Sequence, residues 1–279
     1  MEKEKTLMEH LEESALSKAS KVKETAEWCD KHQLHKVQLY DMAPFCTECQ
    51  REKIAENEQA IVEETKQIYW ENRTIRVLKK ESLVGDENLW KATFKTYIPD
   101  NEETKLALKQ ARIIAGEYLD KDKQFNTVFT GSPGVGKSHL AMAMLQAVND
   151  NADPMMSCLF ISVTDILRMV KDSFSNKKSK YNEEFAIKLL TGVDLLVLDD
   201  LGTEASMQSK DNESSQFNQK FLYDVLNARS RTIITTNLSF DELVRTYNSK
   251  LVSRIHKGAE GHLIKFTDRT EDKRSVIIY

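Results

Sequence analysis

Glycine and proline are scarce in this 279-residue chain, at nine and four residues, which excludes collagen-like and linker-like architectures. Four cysteines are too few for a disulfide scaffold at this length. No apolar stretch approaches the roughly 18 residues that a membrane span requires. Residues 1–5 are charged and lack the apolar run of a secretory leader. Charge of one sign is also missing, since 40 Lys+Arg against 44 Asp+Glu leave a formal charge of −4. That balance excludes a generally basic nucleic-acid binder, so any contact with nucleic acid has to come from a local patch. The expectation is a soluble cytoplasmic protein, long enough for two domains at roughly 150 residues each.

The chain changes texture along its length. Residues 1–28 are rich in Glu and Lys, with Leu7, Leu11, Ala15, Ala19 and Val22 three or four apart, which predicts an amphipathic helix. Residues 29–49 read as a loop-rich stretch of cysteines and histidines. Between 50 and 80 there is neither Gly nor Pro, and Ile54, Ile61, Ile68, Ile75 and Leu78 recur at helical or heptad spacing. One long charged helix is predicted there, or two broken near Asn72. Residues 81–88 read as a linker between an amino-terminal domain, 1–80, and a second domain, 89–279. Beyond the linker, helices are predicted over 106–119, 137–148, 164–174, 181–190 and 217–229. Strands are predicted over 125–130, 159–163, 195–199 and 232–236. Such alternation implies right-handed crossovers and a parallel sheet with helices on both faces, an α/β fold.

Gly131, Ser132, Pro133, Gly134, Val135, Gly136, Lys137 and Ser138 follow the P-loop spacing, between a predicted strand and a predicted helix. Glycines let successive backbone N–H groups face phosphate oxygens, and the helix N-terminus adds a favourable dipole. Lys137 is expected to reach the β- and γ-phosphates, and Ser138 to ligate magnesium. A triphosphate site also needs an acidic partner. The apolar run from Leu195 ends in Asp199 and Asp200, the first suited to the magnesium shell and the second to polarising water. Asn237, just past the 232–236 strand, would emerge beside the P-loop and orient the attacking water.

At these residues the chain resembles the AAA+ ATPases. Within them it resembles the DnaC/DnaI-type replicative helicase loaders and the related IstB-like transposition ATPases. The resemblance covers 88–279 and rests on the P-loop with His139 and Leu140 after it. It rests also on Asp199, Asp200, Leu201, Gly202, Thr203 and Glu204, on Thr235, Thr236 and Asn237, and on Leu251, Val252, Ser253, Arg254 and Ile255. It implies ATP and Mg²⁺ as cofactors, and a nucleotide sandwiched between subunits of a ring or spiral. It places Asn237 at the sensor-1 position and Arg254 as an arginine finger on the neighbour's ATP, with Arg245 and Lys250 as rivals. Arg274 is a candidate sensor-2 residue.

Between 171 and 180 lie Lys171, Lys177, Lys178 and Lys180 against one acid, Asp172, around Phe174. Lysines on phosphates with an aromatic on a base would suit single-stranded nucleic acid. A solvated lysine loop with Phe174 tucked into the core is the other reading. The resemblance implies DNA contact at Phe174, and at Ser215 and Phe217.

Cys29 and His32, with Cys46 and Cys49, form CxxH and CxxC pairs, the composition of a closed structural zinc site. His35 is an alternative to His32, and a redox CxxC is the rival chemistry. A segment this small would need the metal to fold. In the resemblance this domain engages the helicase. The expected protein is therefore a helicase loader with a zinc-binding helical domain before its AAA+ core, acting on a hexameric replicative helicase and single-stranded DNA. The alternatives are an IstB-like transposition helper, or a nucleotide-binding adaptor that does not turn over.

Overall fold

The computed structural model describes residues 22–176, 178–206 and 212–273. Residues 1–21 of the first predicted helix, Lys177, the loop 207–211 and Arg274 lie outside the described residues. Two compact units divide the chain at Tyr69 and Trp70.

The first unit begins with an antiparallel hairpin, β1 (Val22–Cys29) and β2 (Leu34–Leu39). This corrects two expectations, since Val22 to Trp28 are strand rather than helix and the cysteine-histidine stretch is half sheet. Helical spacing of small residues is overridden by cross-strand pairing: the Thr25 hydroxyl donates to Lys36 O (2.9 Å), and Val37 bridges on to Phe45. The long helix α1 (Thr47–Arg73) follows, and the short α2 (Val77–Glu81) begins beyond a break close to Asn72, as the sequence predicts. None of the α1 residues is buried.

In the second unit, Leu78 of α2 enters the core, and residues 82–84, expected as a linker, run along the sheet. The Ser82 hydroxyl accepts from Phe160 N (2.9 Å), and Leu83 pairs in parallel with Ile161. After a 3₁₀ turn (Glu87–Lys91) comes α3 (Glu102–Tyr118), opened by a reciprocal capping box between Asn101 and Thr104. The remaining elements are β3 (Asn126–Thr130), α4 (Lys137–Asn151), β4 (Cys158–Ser162), α5 (Val163–Ser175), α6 (Glu183–Gly192) and β5 (Leu195–Leu201). They are followed by α7 (Thr203–Ser206), α8 (Asn212–Asn227), β6 (Thr232–Thr236), α9 (Phe240–Thr246), α10 (Ser249–Ile255) and β7 (Leu263–Lys265).

Five strands form one parallel sheet in the order β4-β5-β6-β3-β7, with an apolar core on each face. The order has a direct consequence. Strand β6 lies between β3 and β5, so the loops after all three meet at the carboxyl ends of the strands, where open α/β sheets bind ligands. Arg231 fixes the approach to β3: its buried guanidinium donates to the carbonyls of Tyr118 (2.6 Å), Asp120 (2.6 Å) and Lys123 (2.8 Å). No helix among the described residues is long and apolar enough to cross a membrane.

Candidate nucleotide site and metal centre

A cavity of about 380 Å³ opens at the carboxyl ends of β3, β5 and β6. Its lining includes Pro133, Gly134, Gly136, Lys137, Ser138, His139, Asp200 and Asn237. Gly136 holds φ +98° at the mouth of α4, and a Cβ there would meet the Tyr97 ring at 2.8 Å, so glycine is required on both counts. Lys137 is only 4% exposed, and its ammonium donates to Gly131 O, Ser132 O and Asn237 Oδ1, each at 2.7 Å. The P-loop lysine and Asn237, a hundred residues apart, therefore meet as the sequence reading expected.

Asp199, 6% exposed, accepts from the Thr235 hydroxyl (2.6 Å) and from Ser138. Burial, reinforced by the charge of Asp200, pushes its carboxyl up to about 6, against the pull of these two hydroxyls and of Lys137. Ser138 and Asp199 thus stand as a pair suited to a magnesium ion, a hard cation that takes oxygen ligands. Asp200 is half-buried at φ +57°, its N–H held by Thr235 Oγ1 (2.9 Å), and it faces the cavity. Just beyond, Glu204 is committed elsewhere, accepting from Gly202 N (2.8 Å) and from the Tyr247 hydroxyl.

The far wall was not legible in the sequence. Asp86, Asn88, Leu89, Thr96, Tyr97, Ile98 and Lys273 complete the cavity. His139 explains part of this placement: its Nε2 lies 3.1 Å from Thr93 O and 3.2 Å from Thr96 Oγ1, tying the irregular 93–97 segment to α4. Burial holds the imidazole below its ordinary pKa.

Arg254 is not among the residues that line this cavity. It lies half-buried on α10, its Nε donating to Asn227 Oδ1 (2.8 Å), while its rivals Arg245 and Lys250 are exposed. Phe174, at the end of α5, is 60% exposed rather than tucked into the core. It meets Phe217 of α8 edge to face at 5.3 Å, so two residues expected to touch DNA form one aromatic pair. Lys178 is exposed, and Lys171 and Ser215 are half-buried. Lys180 is used locally, 2.7 Å from Glu81.

In the first unit, the side chains of Cys29, His32, Cys46 and Cys49 converge, their ligand atoms all within 4.8 Å of one another. A tetrahedral zinc centre with Zn–S of about 2.3 Å and Zn–N of about 2.0–2.1 Å demands sulfur–sulfur edges of about 3.8 Å and sulfur–nitrogen edges of about 3.6 Å. The Cys29–Cys49 sulfurs are 3.7 Å apart, and His32 Nδ1 is 3.8, 3.6 and 3.3 Å from the sulfurs of Cys29, Cys46 and Cys49. The donor set fits the metal. His32 Nε2 points away to Glu52 Oε1 (3.0 Å), and Glu52 is held in turn by Lys31, the outer-shell arrangement that fixes a ligating imidazole. His35 instead packs edge-on against Trp28, so it is His32 that the fold brings to the three cysteines. Cys158 is buried in β4, and burial pushes its thiol up.

The family model for the IstB-like ATP binding protein matches residues 33–255. The replicative helicase loader DnaC of Escherichia coli strain K12 is 28% identical over 193 residues, covering 67% of this chain and 73% of that protein. The uncharacterized protein YdaV of the same strain is 29% identical over 220 residues, covering 76% of this chain and 81% of YdaV. Among solved structures, the DnaC helicase loader superposes with a TM-score of 0.53 at 26% identity, over 65% of this chain and 99% of that one. DnaI superposes at 0.50 with 18% identity, over 67% and 95%. These likenesses agree with an AAA+ P-loop fold for the five-stranded unit.

Proposed function

The chain belongs to the IstB-like ATP binding protein family, and from that premise we propose that it is an ATP-dependent loader, delivering a hexameric replicative DNA helicase onto single-stranded DNA. What carries this reading is one coincidence. The family-matched stretch contains the whole Lys137–Asp200–Asn237 constellation and the Phe174–Phe217 pair, in a chain similar to a protein named for helicase loading. A cytoplasmic location belongs to the same reading.

In this reading Lys137 and the P-loop N–H groups bind the phosphates. Magnesium, held by Ser138 and Asp199, would neutralise charge on the transferring phosphoryl group. Asp200 takes the proton of an attacking water at its carboxylate, and Asn237 orients that water. Arg254, lying outside its own subunit's cavity, is available to a neighbour's nucleotide in a ring or spiral, where a guanidinium suits phosphoryl charge. Hydrolysis acts as a timing switch for release. Lys171, Lys177, Lys178, Ser215 and the Phe174–Phe217 pair contact DNA, and zinc on Cys29, His32, Cys46 and Cys49 shapes a domain, 1–80, that grips the helicase.

The deciding experiment is co-purification. The full chain is expected to retain a hexameric helicase and to lose it when residues 1–69, the first unit, are deleted. Capture of a transposase together with double-stranded DNA would turn the reading to the IstB-like helper. For DNA, Phe174→Ala is expected to weaken single-strand binding by about 1–3 kcal/mol, the worth of one stacked base. ATP affinity should not change, and both are read by fluorescence anisotropy. Unaltered DNA affinity in that variant would remove the aromatic pair from the proposal.

A further inference from the structure

The α1 helix is long and unpacked. Its 27 residues span about 40 Å at 1.5 Å per residue, and every residue of 53–70 is exposed. Among them Ile54, Ile61 and Ile68 bare aliphatic surface, Ile61 being 61% exposed. At 100° per residue these three fall within about 20° of one line along the helix, and Asn57 and Thr65 lie between them. No charged residue of α1 comes within about 40° of that line. Charge stands beside the stripe instead, with Arg51, Glu58 and Tyr69 on one flank and Lys53, Glu64 and Glu71 on the other. Apolar side chains every seven residues, bordered by charge, form the pattern of a helix that pairs with another helix. Ion pairs within α1, such as Glu48–Arg51 (2.6 Å) and Glu63–Lys66 (3.6 Å), are exposed and contribute little to holding it.

The flanking charges select the partner and its direction. In an antiparallel pair of α1 helices related by a two-fold axis at Ile61, the two Ile61 side chains meet. Ile54 of each copy then stands level with Ile68 of the other. Like flanks face each other in this arrangement. Lys53 comes level with Glu71 of the second copy, and Arg51 with the Tyr69 ring, a cation beside an aromatic. Glu58 and Glu64 meet the uncharged Thr65 and Asn57, so no like charges are opposed. Each contact is made twice, because a two-fold interface is self-complementary. Run parallel, the same helices would set Arg51 against Lys53 of the second copy, a repulsive pair also made twice.

We propose that α1 is a dimerisation helix, pairing antiparallel with α1 of a second copy of this chain about a two-fold axis at Ile61. The pairing needs neither nucleotide nor helicase. It also differs from a ring or spiral of ATP-binding units, which joins unlike faces of successive subunits and does not stop at two. Three apolar layers are buried, with Asn57 and Thr65 between them. Polar side chains at such positions fix register at a cost in stability, so the dimer is reversible.

The test is sedimentation equilibrium of the full chain, purified without chelator or nucleotide, at tens of micromolar. A dimer is expected for the unaltered chain. Ile54→Glu and Ile68→Lys should each weaken it about a hundredfold or more, since two isoleucine contacts leave every dimer. An equal mixture of these two variants should associate again, because the antiparallel register sets position 54 of one chain against position 68 of the other. Ile61→Glu mixed with Ile61→Lys should recover likewise. Such recovery cannot come from chains that fail to fold. A monomeric unaltered chain would overturn the proposal and leave the stripe to a different protein. A dimer that survives Ile61→Glu, or variants that separate and never recover on mixing, would overturn it too. Recovery at position 61 but not between 54 and 68 would mark a parallel pair and refute the register. A chain that dimerises only after residues 1–21 are removed would give the stripe to that segment instead, and the proposal would fail.

Discussion

An Asp200→Asn variant is expected to bind ATP as the unaltered chain does and to hydrolyse it about 10²–10⁴-fold more slowly, the usual worth of a positioned general base. The substitution isolates chemistry from geometry. Asp200 sits at φ +57°, a left-handed conformation that Asn also adopts readily, so the backbone after β5 keeps its path. The bond from its N–H to the Thr235 hydroxyl involves no side-chain atom of Asp200 and survives. An amide still offers an oxygen to a water but cannot take its proton. Asp199 is the contrasting neighbour: it is buried and bonded to Thr235 and Ser138, and as the proposed magnesium ligand it is expected to be needed for binding as well as for turnover. Phosphate release with and without single-stranded DNA, alongside ATP titration, reads both effects. Undiminished turnover would remove Asp200 as base. Glu204 is a poor substitute, since Gly202 N and the Tyr247 hydroxyl occupy its carboxylate. Absence of turnover in the unaltered chain, with ATP still bound, would favour the adaptor reading.

The contrast between these two aspartates shows what a sequence can carry. The roles proposed for them rest on adjacency at the end of an apolar strand, and the P-loop on eight consecutive residues, so both readings are local. The meeting of Lys137 with Asn237 depends on β6 lying between β3 and β5. Periodicity locates those strands without ordering them, and the meeting was expected only from the assumed sheet order. The outer wall at 86–98 has no periodicity at all. It is shaped by His139 from α4 and by the segment after β7, where Lys273 donates to Ile98 O, contacts between segments far apart in the chain. Lys273 joins that wall without any motif to mark it. The three-residue β7 is too short for alternation to register, and its pairing with β3 supplies what its length does not. In the amino-terminal unit, three- and four-residue spacing suggested a helix through Val22, whereas the hairpin that carries Cys29 claims those residues as strand.

That hairpin is the basis of the other large expected effect. Removal of metal with a chelator, or Cys46→Ser, should unfold 22–49 while leaving the ATP-binding unit intact. Among the described residues up to 69, the buried ones are Cys29 and Cys46, two of the four proposed ligands. The α1 helix buries nothing, and a two-stranded hairpin alone is marginal in water. Without a core among these residues, the hairpin is expected to depend on a metal, and binding of structural zinc in comparable small sites is worth about 10–16 kcal/mol. Elemental analysis should find one zinc per chain, and His32→Ala should lose it. His35→Ala should keep it, because that ring packs on Trp28. Hydrogen exchange followed by mass spectrometry is the direct readout: chelation is expected to expose amides of 22–49 while β3 to β6 stay protected. Freshly purified protein without zinc, or hairpin amides that stay protected after chelation, would show that the Cys29–His32–Cys46–Cys49 cluster does not hold this unit together. Loss of helicase retention on chelation, with ATP affinity unchanged, would tie the metal to the partner and separate its role from that of the nucleotide.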